Sequence, residues 1–265
     1  MQSRKAVFLD IDGTLIAGAP VPFGDDLAAM EEAAQKGHLL FLNTGRSFAN
    51  IPPPLLELAC IRGIAAGGGA HILLAASPPR GRSGFRTIYH KWFSGDQLAK
   101  VFAWYGTHSR CCILEGERDC YIINHSLTWT FEDKVPVPVS SLDDFKRKSR
   151  GDYITKLTLD GIASEEEHTL LEPFSRINSF SNYSELIIKG ENKARAMELV
   201  LNKFGIERKD SIAIGDSAND LDMIRFAGLG IAMGNACAEL KAASGAVTGY
   251  CGKGGVAEAL RKFAP

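Results

Sequence analysis

The chain alternates short, wholly apolar runs with longer amphipathic stretches. Val7-Phe8-Leu9 stops at Asp10, Leu39-Leu40-Phe41-Leu42 stops at Asn43-Thr44-Gly45, and Ser211-Ile212-Ala213-Ile214 stops at Gly215-Asp216. Runs this short and this uniformly apolar suit strands buried on both faces. Residues 24–36 predict a helix closed by Gly37. Residues 192–204 predict another, with Ala194, Met197, Val200, Leu201 and Phe204 on one face and Gly205 at its end. Leu221, Ile224 and Ala227 mark a helix after the third run, and residues 229–233 and 246–248 read as short edge strands. Pro52-Pro53-Pro54 sets the entry to a helix within 51–60, because proline is tolerated in a first turn and not in an interior. Ile64-Ala65-Ala66 leads into Gly67-Gly68-Gly69. Strand and helix in alternation predict an α/β protein with a Rossmann-like parallel-sheet core.

From Ser77 the pattern changes. Ser77-Pro78-Pro79-Arg80-Gly81-Arg82-Ser83-Gly84 is polar and turn-rich. After it come the short run Thr87-Ile88-Tyr89, strands near 111–115, 120–124, 154–159, 176–182 and 185–188, and helices near 94–105, 140–149 and 164–172. Strand pairs with helices between them predict an α+β layer separate from the first sheet. The expected organisation is a core made of residues 1–80 and 188–265, with an inserted domain at 81–187.

Composition narrows the function classes. The 265 residues suffice for one large or two modest domains, and the formal net charge is -1. No global field favours nucleic acid or an anionic membrane. The basic run Lys146-Arg147-Lys148-Ser149-Arg150 sits at a predicted helix end, where cations are favoured. After Met1-Gln2-Ser3-Arg4-Lys5, Ala6-Val7-Phe8-Leu9 is too short for a signal peptide or membrane span. A cytoplasmic location is expected, with the six cysteines reduced. None forms a Cys-x-x-Cys pair, which argues against a zinc site.

Asp10, Thr44 and Asp216 each directly follow a predicted buried strand. In an open α/β sheet ligands bind beyond the carboxyl ends of the strands. Asp10 and Asp12 flank an Ile, and Gly13 lets the chain turn sharply, with Thr14 placed to bond within the turn. A carboxylate can attack phosphorus and a second can manage the proton, which assigns Asp10 as nucleophile and Asp12 as general acid/base. Asp216, Asp220 and Asp222 add negative charge that requires a counter-ion. All-oxygen ligands with phosphate chemistry favour Mg²⁺. Thr44 offers a hydroxyl, and Lys193 an ammonium, to a phosphate group. Lys189 competes for the second role. Asn219 is placed to donate to phosphate or to hold a carboxylate.

In their order, Asp10-Ile11-Asp12-Gly13-Thr14, Asn43-Thr44-Gly45-Arg46, Lys193 and Gly215-Asp216-Ser217-Ala218-Asn219-Asp220 resemble the four motifs of the haloacid dehalogenase superfamily of phosphatases. An insertion between the second and third motifs is similar to the large α/β cap of its Cof-type branch. Met233-Gly234-Asn235-Ala236 and Gly252-Lys253-Gly254-Gly255-Val256 resemble late core segments of that branch. The resemblance implies that Asp10 is both nucleophile and Mg²⁺ ligand. It implies that Asp12 binds the metal through its backbone carbonyl, and that Asp216 is a further ligand. Thr44 and the Gly45 amide would hold phosphate, Lys193 would neutralise it, and Asn219 and Asp220 would support the site. The cap would close over the core and select the leaving group. Two positions depart from the pattern. Gly67-Gly68-Gly69-Ala70 stands where an Asn-Gly-Ala turn is common, and Lys193 is followed by Ala194 where Lys-Gly is common. Lys193 is preferred to Lys189 because it opens the helix.

The expected function is Mg²⁺-dependent hydrolysis of a small phosphorylated metabolite, in first place a sugar phosphate. Trp92, Tyr105, Arg110, Tyr121, His125 and Trp129 are candidates to face the leaving group. A phosphomutase or phosphotransferase would use the same Asp10 chemistry, and a phosphate-binding regulator would use the same scaffold. A dinucleotide enzyme is disfavoured, because Gly67-Gly68-Gly69 is not a Gly-x-Gly-x-x-Gly turn opening a helix. Neither nucleic acid nor membrane is expected as a partner, and oligomeric state is open.

Overall fold

The computed structural model describes residues 4–76, 81–124, 135–180 and 182–264. The chain begins with β1 (Ala6–Leu9), α1 (Gly24–Gln35), β2 (Leu39–Asn43), β3 (Ile61–Ala66), β4 (His71–Ala75) and β5 (Phe85–His90). It continues with α2 (Gly95–Tyr105), β6 (Cys112–Gly116), β7 (Cys120–Ile123), β8 (Val137–Pro138), α3 (Leu142–Ser149), β9 (Ile154–Asp160), α4 (Glu165–Leu171), β10 (Ser175–Ser179) and β11 (Tyr183–Ile188). The last part is α5 (Lys193–Phe204), β12 (Ser211–Gly215), α6 (Leu221–Phe226), β13 (Leu229–Ala232), α7 (Ala238–Ala243), β14 (Ala246–Val247) and α8 (Gly255–Phe263).

These elements form two compact units. The first is Met1–Gly45, Pro52–Tyr89 and Asn192–Pro265, and the second is Arg46–Ile51 with His90–Glu191. The first holds an eight-stranded sheet in the order β14-β13-β12-β1-β2-β3-β4-β5. From β14 to β3 every pairing is parallel, and β4 then runs antiparallel to β3. The chain moves outward from β1 to β2 on one side and comes back to β12 on the other. The reversal of strand order beside β1 is the topological switch point at which such sheets place ligands. Phe8 and Phe41 stack across β1 and β2 with ring centroids 5.1 Å apart, and Phe204 of α5 packs on Phe41 at 5.6 Å.

Local chemistry sets the helix ends. The Asn192 side chain accepts the Arg195 N–H at 2.8 Å to open α5, and Gly205 closes it in the left-handed region. The Asp25 and Asp26 carboxylates lie in the first turn of α1, where the helix dipole favours them. Residues 51–60, expected to include a helix, form only a 3-10 turn at Pro53–Glu57. Pro52, Pro53 and Pro54 supply no N–H, so the chain tightens around Leu55 N–H to Pro52 O at 3.0 Å. Strand β4 and helices α7 and α8 were not legible from the apolar pattern.

The second unit holds a six-stranded sheet, β10-β11-β9-β6-β7-β8, antiparallel apart from the β7–β8 pair. Leu114, Leu157, Leu159 and Leu186 of this sheet pack with Val101 and Phe102 of α2. Ser94 with Gln97, and Ser164 with Glu167, form capping boxes that start α2 and α4. Among the described residues no helix is long and apolar enough to cross a membrane.

Candidate active site

Leu9 is in register with both Ile214 and Leu42, so Asp10, Gly215 and Asn43 sit at one level at the strand ends. The Asp10 N–H continues the ladder to Ile214 O at 3.0 Å, which fixes the direction in which its side chain leaves. The chain then coils tightly: Leu15 N–H and Ile16 N–H both bond Ile11 O, and Gly13 N–H bonds Ile16 O at 3.0 Å. Gly13 is left-handed, with φ of 73°, and a Cβ there would lie 2.2 Å from Asp216 Oδ2. Thr14 bonds within this turn through its N–H, to Ile11 O, while its buried hydroxyl has no hydrogen-bond partner among the described residues. The Asp10 side chain is buried and the Asp12 residue is exposed.

Lys193 opens α5 and points its ammonium at the same place. Its Nζ donates to Asp10 Oδ1 at 2.7 Å, to Asp220 Oδ1 at 2.6 Å and to Asn219 Oδ1 at 3.2 Å. Asp220 spends its other oxygen on the N–H groups of Asp216 and Ser217, both at 3.0 Å. This fold of the loop over its own start needs Gly215, where a Cβ would meet Asp220 Cγ at 2.5 Å. Asn219 also accepts from Ser217 Oγ at 2.9 Å, which leaves its amide N–H₂ as the side chain's donor. Asp10, Asp216 and Asp220 each offer an oxygen, all within 4.8 Å of one another.

Thr44 is buried, and its main chain is fixed by Thr44 N–H to Ala65 O at 2.9 Å and Gly68 N–H to Thr44 O at 3.0 Å. Gly45 follows it as the last residue of this part of the first unit. The last of the three glycines has a physical reason. A Cβ on Gly69 would lie 2.3 Å from Asn192 O, so only glycine lets this turn approach the start of α5. Asn43 completes the connection, donating Nδ2 to Lys193 O at 3.0 Å. The structure thus gathers Asp10, Asp216, Asn219, Asp220 and Lys193, with Thr44 tied to Lys193 through neighbouring backbone.

Other candidates lie elsewhere. Asp222, on α6, is not among the three carboxylates of the cluster. Lys189 belongs to the second unit and donates to Glu172 O at 3.0 Å. Tyr105 and Arg110 both bond the buried Glu167, each at 2.5 Å, and Tyr121 bonds Asp152 at 3.1 Å. These three hold the second unit together. Trp92 is 46% exposed, and its ring centroid lies 4.5 Å from that of Tyr153. His125 and Trp129 lie outside the described residues.

The sequence pattern gave no role to Asn235. Its Nδ2 donates to Gly13 O at 2.8 Å, and its Oδ1 accepts from Cys251 N–H at 2.8 Å. It therefore braces the turn that carries Asp12 against the end of the core. The signal available was its place in Met233-Gly234-Asn235-Ala236.

Burial, with Asp220 and Asp12 adding to it, pushes the Asp10 carboxyl well above its ordinary range against the pull of Lys193. Burial and Asp220 push Asp216 up to about 6. Burial alone would favour neutral Lys193, but Asp10 and Asp220 outweigh it and hold the ammonium charged. Three carboxylates thus face one ammonium, and the buried Asp216 Oδ1 has no hydrogen-bond partner among the described residues. An all-oxygen set with excess negative charge and an orphaned acceptor fits a small hard dication such as Mg²⁺.

The family model for haloacid dehalogenase-like hydrolases matches residues 7–260. A 5-amino-6-(5-phospho-D-ribitylamino)uracil phosphatase of Bacillus subtilis is 26% identical, over 97% of this chain and 96% of its own. A second phosphatase of the same name from that organism is 28% identical over 96% of each chain. Among solved structures, a subclass IIB sugar phosphatase of this superfamily is 26% identical, with a TM-score of 0.79 and 98% of each chain covered. The four ordered motifs, the sheet that brings them to one edge and this match over nearly the whole chain place the protein in the haloacid dehalogenase-like hydrolase family, among its Cof-type phosphatases.

Proposed function

We propose that this hydrolase releases phosphate from small phosphomonoesters, sugar or polyol phosphates above all, by way of a phosphorylated Asp10. The observation that carries the reading is the Lys193 ammonium, held between Asp10 and Asp220 and bonded to Asn219. It keeps the Asp10 carboxylate aimed and supplies positive charge where a phosphate oxygen would lie. Asp10 attacks phosphorus in line and the P–O bond to the alcohol breaks. The alkoxide leaves with a proton from Asp12. Asp12 then takes a proton from water as it attacks the aspartyl-phosphate, and phosphate leaves with Asp10 restored. Exposure of Asp12 beside buried Asp10 suits this division, since the acid must meet both leaving group and water.

Asp10, the Asp12 carbonyl and Asp216 would hold Mg²⁺, which supplies charge that offsets repulsion between a carboxylate and an anionic ester. Asp220, whose oxygens are taken by Lys193 and the loop amides, orients the site and does not compete for substrate. Thr44, the Gly45 amide and the Asn219 amide nitrogen would hold the transferring phosphoryl group. The inserted segment, 81–187 in the sequence reading, would act as the cap that selects the leaving group. Names of the relatives support a phosphorylated sugar or ribityl chain as that group.

The test is phosphate release from a panel of sugar phosphates, polyol phosphates, nucleotides and phosphoglycolate, with Mg²⁺ or EDTA, beside Asp10→Asn. Metal-dependent release that the variant lacks is expected. Equal release by Asp10→Asn would remove Asp10 as nucleophile.

A further inference from the structure

The loop after β12 carries a hydroxyl that the proposed chemistry does not use. Ser217 follows Asp216 in extended backbone, with φ of -120° and ψ of 170°. Its N–H is held by Asp220 Oδ2 at 3.0 Å, so the backbone here does not depend on the Ser217 side chain. The single hydroxyl proton has two acceptors in reach, Asn219 Oδ1 at 2.9 Å and Asp220 Oδ2 at 3.5 Å. Asn219 is the nearer, and Asp220 Oδ2 already takes the N–H groups of Asp216 and Ser217.

Lys193 meets the same Asn219 oxygen. An ammonium only donates, so the atom of the Asn219 amide that faces it is Oδ1. An ammonium also has three N–H groups, and Lys193 has three acceptors: Asp220 Oδ1 at 2.6 Å, Asp10 Oδ1 at 2.7 Å and Asn219 Oδ1 at 3.2 Å. The first two are short bonds between opposite charges, the strong kind. The third is the longest and goes to a neutral amide. A phosphate oxygen that draws an N–H from Lys193 therefore draws it away from Asn219.

Asn219 Oδ1 then keeps one donor, the Ser217 hydroxyl. This matters because the two ends of the amide are unlike: Nδ2 attracts a phosphate oxygen and Oδ1 repels it. The last side-chain torsion of Asn is soft, and rotation about it exchanges the two ends. Asn219 is half-buried, and among the described residues its Nδ2 donates to nothing. The bond from Ser217 fixes which end is presented.

We propose that Ser217 is a positioning residue: its hydroxyl holds Asn219 Oδ1, so that Nδ2 faces the transferring phosphoryl group after Lys193 has turned to that group. The proposal rests on the reading of Asn219 as a phosphate-holding residue. All of the groups involved belong to the first unit.

The test uses the full chain and compares Ser217→Ala, Ser217→Thr, Asn219→Ala and the double variant Ser217→Ala with Asn219→Ala. Binding of inorganic phosphate in Mg²⁺, binding of Mg²⁺ alone, kcat and KM are read on each, the first two by calorimetry. Ser217→Ala should bind phosphate about tenfold more weakly, the size of one lost hydrogen bond to a charged group. KM should rise in proportion and kcat should change little, since Nδ2 meets the phosphoryl group both before and during transfer. Mg²⁺ affinity should stay at the wild-type value, because the Asp216 and Ser217 N–H groups keep their bonds to Asp220. Ser217→Thr keeps the hydroxyl and should bind phosphate as the wild type does. In the Asn219→Ala background, Ser217→Ala should change nothing further, because Ser217 acts only through Asn219. Wild-type phosphate affinity in Ser217→Ala, or an effect of full size in the Asn219→Ala background, would overturn the proposal. So would a Ser217→Ala protein that loses Mg²⁺ and phosphate affinity alike, which is the mark of a loosened loop. Ser217→Gly, with the same expectation, replaces Ser217→Ala should that variant not fold. Wild-type phosphate affinity in Asn219→Ala would remove Asn219 from the site, and this proposal with it, while Asp10 stands as nucleophile. A wild-type protein that binds phosphate but releases none from any ester would sink the phosphatase reading alone.

Discussion

The Asp216 carboxylate fills the space that a side chain on residue 13 would need. An ideal Cβ at Gly13 would stand 2.2 Å from Asp216 Oδ2, and the backbone there is left-handed. The nucleophile turn and the loop after β12 therefore interlock through the absence of a side chain. Gly13→Ala should push Asp216 aside and strain the turn, at about 1–3 kcal/mol of stability. Mg²⁺ affinity should fall more than tenfold, since supporting positions around metal ligands have effects of that order. Calorimetric titration of Mg²⁺ into both proteins checks this, and equal affinity would show that Asp216 does not hold the ion.

Lys193 is the buried counter-charge of the cluster. Lys193→Met leaves Asp10 and Asp220 facing each other without their shared ammonium, and breaking such a buried pair costs about 3–5 kcal/mol. Mg²⁺ should restore part of that loss in urea unfolding, because it supplies the missing positive charge, while activity stays absent. Lys193→Arg should fold better than Lys193→Met. An unchanged unfolding midpoint in Lys193→Met would mean that the ammonium does not compensate the carboxylates.

Asp216 gives the site a pH signature. Its carboxyl is raised to about 6 in the folded protein, above its ordinary value, so folding favours its protonated form. In metal-free protein the stability from this group is full below the unfolded value and is lost as pH rises through about 6. Mg²⁺ needs the ionised carboxylate, so its binding releases a proton below pH 6 and weakens as pH falls. The stabilisation given by Mg²⁺ in thermal melts should therefore grow between about pH 5 and pH 7. A stabilisation independent of pH across that window would contradict the placement of Asp216 at the ion.

Asn235 joins Gly13 O to Cys251 N–H. Asn235→Ala cuts the tie between the turn that carries Asp12 and the Cys251 backbone, and should lower kcat by about tenfold while leaving phosphate binding intact. Steady-state kinetics with phosphate inhibition separates the two. Equal loss in both would show that Asn235 supports the whole site and not the acid/base turn.

Much of the site was legible because its residues follow strand ends. Three apolar runs that stop at Asp10, Asn43 and Gly215 fix the edge where chemistry gathers, and the in-register pairing Leu9 with Ile214 and Leu42 is the geometric form of that pattern. Lys193, preferred to Lys189 for its place at a helix start, is the lysine that bonds Asp10 and Asp220. What stayed hidden depends on contacts distant in sequence. The helix expected within 51–60 gave way to a 3-10 turn because three prolines left too few donors. Gly67-Gly68-Gly69 looked like a departure from a motif; its last member, Gly69, is required by the approach of Asn192, more than a hundred residues on. Strand β4 runs antiparallel at the end of an otherwise parallel run, and the pattern of apolar residues does not encode direction.

Capture of the intermediate tests the central claim most directly. The protein would be mixed with a radiolabelled sugar phosphate and Mg²⁺, quenched in acid within one turnover, digested and the labelled peptide sequenced. Label on the peptide that carries Asp10, absent in Asp10→Asn and chased away by time, is the predicted result. Phosphate released at full rate with no label on the protein would contradict attack by Asp10.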